Sequence, residues 1–173
     1  MIATGLPGCV VGLAALRRRP ERAARHTAGM DAREQAQDLA DRCAAAMWAD
    51  DRASRALGMS RPEVSPGRAR MTMPIRADMV NGQGICHGGL IAALADSAFA
   101  FACNSYGDVT VAAGFDVTFV APCRVGDVLV AAAVERVRFG RSGLYDVTVS
   151  RQDGTLVAEF RGRSRSLGRP LVG

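Results

Sequence analysis

Asn81-Gly82-Gln83-Gly84-Ile85-Cys86-His87-Gly88-Gly89, running directly into Leu90-Ile91-Ala92-Ala93-Leu94-Ala95-Asp96-Ser97-Ala98-Phe99-Ala100-Phe101-Ala102-Cys103, decides the fold of this chain. From Gly88 to Cys103 the only formal charge is Asp96 and the only hydroxyl is Ser97. A helix apolar on nearly every side is predicted to be buried. A lone carboxylate inside it is costly unless it is hydrogen-bonded, shifted in pKa, or opened onto a cleft where a substrate meets it. Gly88 and Gly89 stand where the helix begins, so their N–H groups lack intrahelical acceptors and lie at the positive end of the helix dipole. Such donors can stabilise a carbonyl oxygen as it gains negative charge.

Upstream of this stretch, Ala36, Leu39, Ala40, Cys43, Ala44, Met47 and Trp48 recur at spacings of three and four, which predicts one covering helix over 31–57. Residues 62–67 break that pattern. Ala69, Met71, Met73 and Ile75 then alternate with polar residues as a half-buried strand, and Pro74 marks an edge or a bulge. Downstream the period becomes two, with strands predicted over 109–120, 128–139, 144–151 and 155–166. Short polar turns containing Gly make neighbouring antiparallel strands the natural arrangement. One strand, a long helix and four strands in sequence predict an α+β fold, an antiparallel sheet wrapped about one central helix. Such a sheet leaves an edge strand and a flank uncovered, and homo-oligomerisation is the usual remedy.

With 173 residues and 49% hydrophobic content, the chain suits one domain with a sizeable core. The expected organisation is a flexible extension over 1–29 (or upstream sequence ahead of a start at Met30), a domain over 30–168 and a tail over 169–173. The formal charge of +5 is uneven: five of the 22 basic residues and one of the 17 acids fall in 1–29, leaving 17 against 16 in the rest. A near-neutral body does not make a nucleic-acid surface. Every basic residue is Arg, read as a compositional bias of the source. Five cysteines, an odd number without metal-type spacing, imply a reducing, cytoplasmic setting and no metal site. The longest apolar run is too short for a bilayer and carries Asp96 at its middle, so no membrane span is expected.

Asp96 leads the candidates for chemistry, as a nucleophile or general base in an apolar setting. The amide of Asn81 can orient water or hold a carbonyl, though Asn-Gly is also a common turn pair. His87 can act as an acid, cap the helix or contact substrate. Cys86 beside it is a poor nucleophile, because adjacent residues at a helix start seldom aim together. Ser97 points about 100° around the helix from Asp96 and can meet a substrate group or water. The glycines match neither GxGxxG after a parallel strand nor a GxxxxGK phosphate loop. For phosphate the candidates are Arg141, in a hairpin between Gly140 and Gly143, and Arg161 and Arg163 on the last strand, where a solvated basic face is the alternative.

The same loop, taken with Leu94-Ala95-Asp96-Ser97-Ala98-Phe99-Ala100 and Asn104-Ser105-Tyr106-Gly107, resembles the hot-dog-fold acyl-CoA thioesterases of the PaaI type, linked to phenylacetate degradation. The similarity takes in Ala56-Leu57-Gly58-Met59, Phe119-Val120-Ala121-Pro122 with Gly126-Asp127, Gly140-Arg141, Tyr145-Asp146-Val147 and Phe160-Arg161-Gly162, about 31–168 in all. The resemblance implies a hot-dog fold and hydrolysis of an acyl-CoA to a free acid and CoA without a cofactor. It also implies a dimer or tetramer with sites at subunit interfaces. By position, the helix carboxylate is Asp96, the loop amide Asn81 and the polarising backbone N–H that of Gly88. Beside these, the residues themselves make His87, Gly89, Ser97, Arg141, Arg161 and Arg163 the candidates for substrate contact. Ser97 stands where many relatives carry Thr. The expected substrates are aromatic, phenylacetyl-like thioesters. Two rival readings are a non-catalytic acyl-CoA or hydrophobic-ligand binder using the same cleft, and a hydratase, which needs a paired acid and base.

Overall fold

The computed structural model describes residues 31–173, so the expected extension over 1–29 lies outside the described residues. The predicted first helix is two helices, α1 (Ala32–Asp50) and α2 (Arg52–Ala56). Asp51 causes the break: its carboxylate accepts from the Ser54 N–H at 3.0 Å and so starts a new helix. Arg55 closes the old one, donating to the Ala49 carbonyl at 2.8 Å and the Asp51 carbonyl at 3.0 Å. The apolar stripe of α1 packs as the spacing predicts, with Ala40, Cys43 and Ala44 buried and Met47 and Trp48 resting on the core.

The six strands are β1 (Glu63–Ser65), β2 (Arg68–Pro74), β3 (Asp108–Phe119), β4 (Val128–Phe139), β5 (Ser142–Arg151) and β6 (Leu156–Pro170). They form one antiparallel sheet in the order β1-β2-β4-β5-β6-β3. β4, β5 and β6 are the sequential neighbours expected from their short turns. β3 departs from that expectation. The segment from Val120 to Asp127 is no hairpin, and β3 crosses to the far edge to pair with β6. β1, inside the segment read as a break, is a further addition. It pairs only with residues 68–70, so Pro74 lies where β2 has no ladder on its outer side. The expected domain end at 168 falls within β6, which runs to Pro170 opposite Asp108.

The sheet curls around α3 (Gly88–Cys103). Phe99 is the hub: its ring meets Tyr145 edge-on at 5.5 Å and Phe160 at 5.9 Å, and all three are buried. A Cβ at position 162 would stand 2.8 Å from that ring, so Gly162 is what lets helix and sheet approach this closely. Beyond the helix end, Asn104 donates to the carbonyls of Ala100 (2.9 Å) and Thr110 (2.8 Å) and accepts from the Thr110 N–H (2.8 Å), stitching α3 to β3. The helix is not buried all round, however. Its buried residues, from Ile91 to Cys103, face the sheet, while exposed Gly89 and half-buried Ala92, Asp96 and Ala100 form a stripe only partly covered in this chain. None of the described helices is long and apolar enough to cross a membrane.

Candidate functional site

Asp96 sits in the middle of that stripe, half-buried among alanines. Its carboxylate makes no hydrogen bond or ion pair among the described residues, and burial pushes its pKa up. An acid without a structural partner, made more basic by its surroundings, is equipped for proton transfer or attack. Cys103, about two turns further along the helix, is a different case: burial chiefly, reinforced by the Asp96 charge, pushes its thiol up to about 12, so it stays protonated.

The N-terminal turn of α3 supplies the opposite polarity. His87 is the N-cap residue, with φ −59° and ψ 128°, and its side chain caps nothing. Its carbonyl accepts from the Leu90 N–H at 2.9 Å, and the Gly88 and Gly89 N–H groups have no acceptor among the described residues. Asn81 shapes the loop leading there. Its Oδ1 accepts from the N–H groups of Gln83 (2.9 Å) and Ile85 (3.2 Å), which leaves the exposed Nδ2 as a free donor. Cys86 and His87 point apart, the first buried and the second exposed, as the argument against a Cys-His pair requires.

The other candidates separate. Ser97 turns toward α2, its hydroxyl 3.1 Å from that of buried Ser54, and so ties α3 to the small helix. Arg141 lies in the β4–β5 hairpin, held by donation to the Ser166 carbonyl at 2.9 Å. It lines a cavity of about 170 Å³ with Tyr106, Arg138, Tyr145 and Ser164. Arg161 and Arg163 stand on the face of the sheet away from α3. Arg161 makes a two-point pair with Asp146 at 2.7 and 2.9 Å, which holds that carboxyl below the usual range, and Arg163 pairs with Asp116. Neither is brought near the helix stripe.

Helix geometry constrains how the catalytic candidates combine. Gly88 and Asp96 are eight residues apart, about 12 Å along the axis. No single thioester carbonyl can touch both within one chain. The structure thus places free N–H donors at one end of α3 and an acid without a partner among the described residues at its middle.

Two features were missed from the sequence. The Phe119 ring, half-exposed, lies against Gly88, with ring carbons 2.8–3.3 Å from where a Cβ would stand. Its signal was its place in the Phe119-Val120-Ala121-Pro122 motif, without a role. At the other end of the helix, the Arg138 guanidinium lies 3.6 Å over the Tyr106 ring and Tyr145 donates to Glu135 at 3.0 Å. Nothing local in the sequence joins those four residues.

Comparison with known proteins bears on what this geometry serves. Residues 83–158 match the model of the thioesterase superfamily. The acyl-coenzyme A thioesterase PaaI of Escherichia coli is 40% identical over 128 residues, covering 74% of this chain and 91% of that protein. The structure of the E. coli PaaI protein, from the phenylacetic acid degradation operon, superposes with a TM-score of 0.75 at 38% identity, covering 78% of this chain and 97% of that one. The TT0310 protein of Thermus thermophilus superposes with a TM-score of 0.63, also at 38% identity, covering 66% and 96%.

Proposed function

The chain belongs to the thioesterase superfamily, as a hot-dog-fold thioester hydrolase similar to PaaI, and from that premise we propose that it hydrolyses acyl-CoA thioesters to a free acid and CoA. The observation that carries this reading is the unpartnered, half-buried Asp96 on the helix whose first N–H groups are free. The Gly88 N–H donates to the thioester carbonyl oxygen and the Asn81 Nδ2 steadies the water. Asp96 takes a proton from that water as its oxygen adds to the carbonyl carbon. The oxyanion is held at the helix N-terminus. When the C–S bond breaks, the CoA sulfur leaves with the proton from Asp96, and the acid is released.

Because Gly88 and Asp96 are too far apart within one helix, the donor of one copy works with the acid of another. β3 supports that assembly. It closes one edge of the sheet with its outer ladder unpaired, and Phe115 and Phe119 stand exposed along it. Two copies pairing along β3 would bring their α3 stripes together, as a dimer or as half of a tetramer. Arg141, whose Nε alone is engaged, is our candidate for a CoA phosphate, while Arg161 and Arg163 are committed to carboxylates. The four cysteines among the described residues are buried and free, which suits the reducing cytoplasm, where acyl-CoA is found.

We take phenylacetyl-like aromatic acyl groups as the preferred substrates, by analogy with the operon that houses E. coli PaaI. The test is thiol release from a panel of short, long and aromatic acyl-CoAs by the wild type and by Asp96→Asn. The expected result is turnover by the wild type, with kcat lower by about 10²–10⁴-fold in the variant. Binding without thiol release by the wild type would instead make the protein a carrier of acyl-CoA.

A further inference from the structure

We propose that Phe119 determines which acyl group is accepted: its ring forms a wall of the acyl site beside the Gly88 N–H and favours flat, aromatic acyl groups. The inference rests on the thioesterase reading above and adds to it a residue that contacts the substrate.

The two glycines that open α3 are not equivalent. A Cβ on Gly89 would meet nothing within 4 Å, whereas one on Gly88 would meet the Phe119 ring at 2.8, 3.0 and 3.3 Å. The first residue of the helix thus lies beside the tip of an aromatic ring. Gly88 is what allows the ring to lie so close, since any side chain there would displace it.

The backbone that carries the ring is anchored. Phe119 is opposite Ala158 in the β3–β6 ladder, and the next two N–H groups, of Val120 and Ala121, both donate to the Val157 carbonyl, at 2.8 and 3.3 Å. Its backbone is fixed while the side chain remains 49% exposed. Phe115, four residues earlier and about 13 Å along the strand, faces the same side. It is 43% exposed and stacks on buried Phe160 at 4.7 Å. The helix-facing side of β3 therefore offers one aromatic ring backed by the core and a second at the donor. An acyl carbon bonded to a carbonyl held at the Gly88 N–H lies within reach of the second ring. An aromatic acyl group can stack or meet it edge-on, gaining contact that a straight chain gains less of.

Three measurements test this. Phe119→Leu and Phe119→Tyr are purified, checked for unchanged oligomeric state, and assayed on phenylacetyl-CoA and hexanoyl-CoA. In Phe119→Leu the ratio of kcat/KM between the two substrates is expected to fall about tenfold toward the aliphatic one, chiefly through KM for phenylacetyl-CoA. Phe119→Tyr keeps the wild-type ratio. A ratio within twofold of wild type in Phe119→Leu overturns the proposal and leaves the hydrolase reading standing. The third measurement is calorimetric binding of the same two thioesters to Asp96→Asn with and without Phe119→Leu. A selective loss of phenylacetyl-CoA affinity supports the proposal even if the wild type releases no thiol, and equal affinities overturn it.

Discussion

Asp96 shows how far one residue can be read from sequence and where its surroundings take over. A single carboxylate in a run of alanines and phenylalanines is conspicuous because burying it unpaired is expensive, and it has no partner among the described residues. Its pKa, raised by burial, has two consequences. Activity that needs the carboxylate form is lost as pH falls through the raised value, so the acidic limb of the kcat profile should lie above the ordinary carboxyl value of 3.8. Stability runs the other way. A carboxyl whose folded pKa exceeds its unfolded one favours folding when protonated, below about the unfolded value, and that contribution disappears as pH rises through the folded pKa. At pH 7 the ionised Asp96 is a net cost. Asp96→Asn should therefore melt higher than wild type at pH 7, with the gain shrinking as pH approaches 4. A variant that melts lower at pH 7 would show that the carboxylate has a stabilising partner. Ser97 marks the limit of such reading. Its hydroxyl was free to be assigned to substrate because Ser54, its partner at 3.1 Å, lies 43 residues away in sequence.

Among the elements, those with a long periodic signal were legible. β4, an apolar run from Val128 to Val134 followed by alternation to Phe139, begins and ends where expected. β1, with three residues, has too few positions for a period to emerge. The α1–α2 break depends on one Asp side chain competing for a backbone N–H, a local event that a helical stripe masks. β3 was found but misplaced, since a strand's own pattern does not specify its neighbour in the sheet. The element that locates β3 is the end of α3. Asn104 is 4% exposed and makes three hydrogen bonds to Ala100 and Thr110. Asn104→Ala would leave the Thr110 N–H and carbonyl without these partners, at a cost of about 2–3 kcal/mol. For a domain of this size that is a fall in Tm of about 5–10 °C. Asn104→Asp, which keeps the acceptor but sets a buried carboxylate oxygen against the Ala100 and Thr110 carbonyls, should fall at least as far. Thermal melts that place Asn104→Ala within about 1–2 °C of wild type would mean that the stitch is dispensable.

At the scale of the whole molecule, the rise of the helix decides the architecture. Gly88 and Asp96 stand together in the sequence, yet about 12 Å of helix separates them. If two copies share each site, lesions in different halves must complement. Asp96→Asn removes the acid and leaves the donor. Gly88→Pro removes the donor N–H and leaves the acid, and Pro suits this position because it is the first of the helix and because His87, at φ −59° and ψ 128°, already has the extended backbone that precedes proline. The half-exposed Phe119 ring would have to swing aside for the new Cβ. Each variant alone should be nearly inactive. Mixed in equal amounts and allowed to exchange subunits in mild denaturant, half the dimers become heterodimers. In each of these, one of the two sites pairs an intact Gly88 with an intact Asp96. Recovery of about a quarter of wild-type thiol release is the expected outcome for a two-fold dimer. Sites contained within single chains would recover nothing, because no chain in the mixture carries both groups.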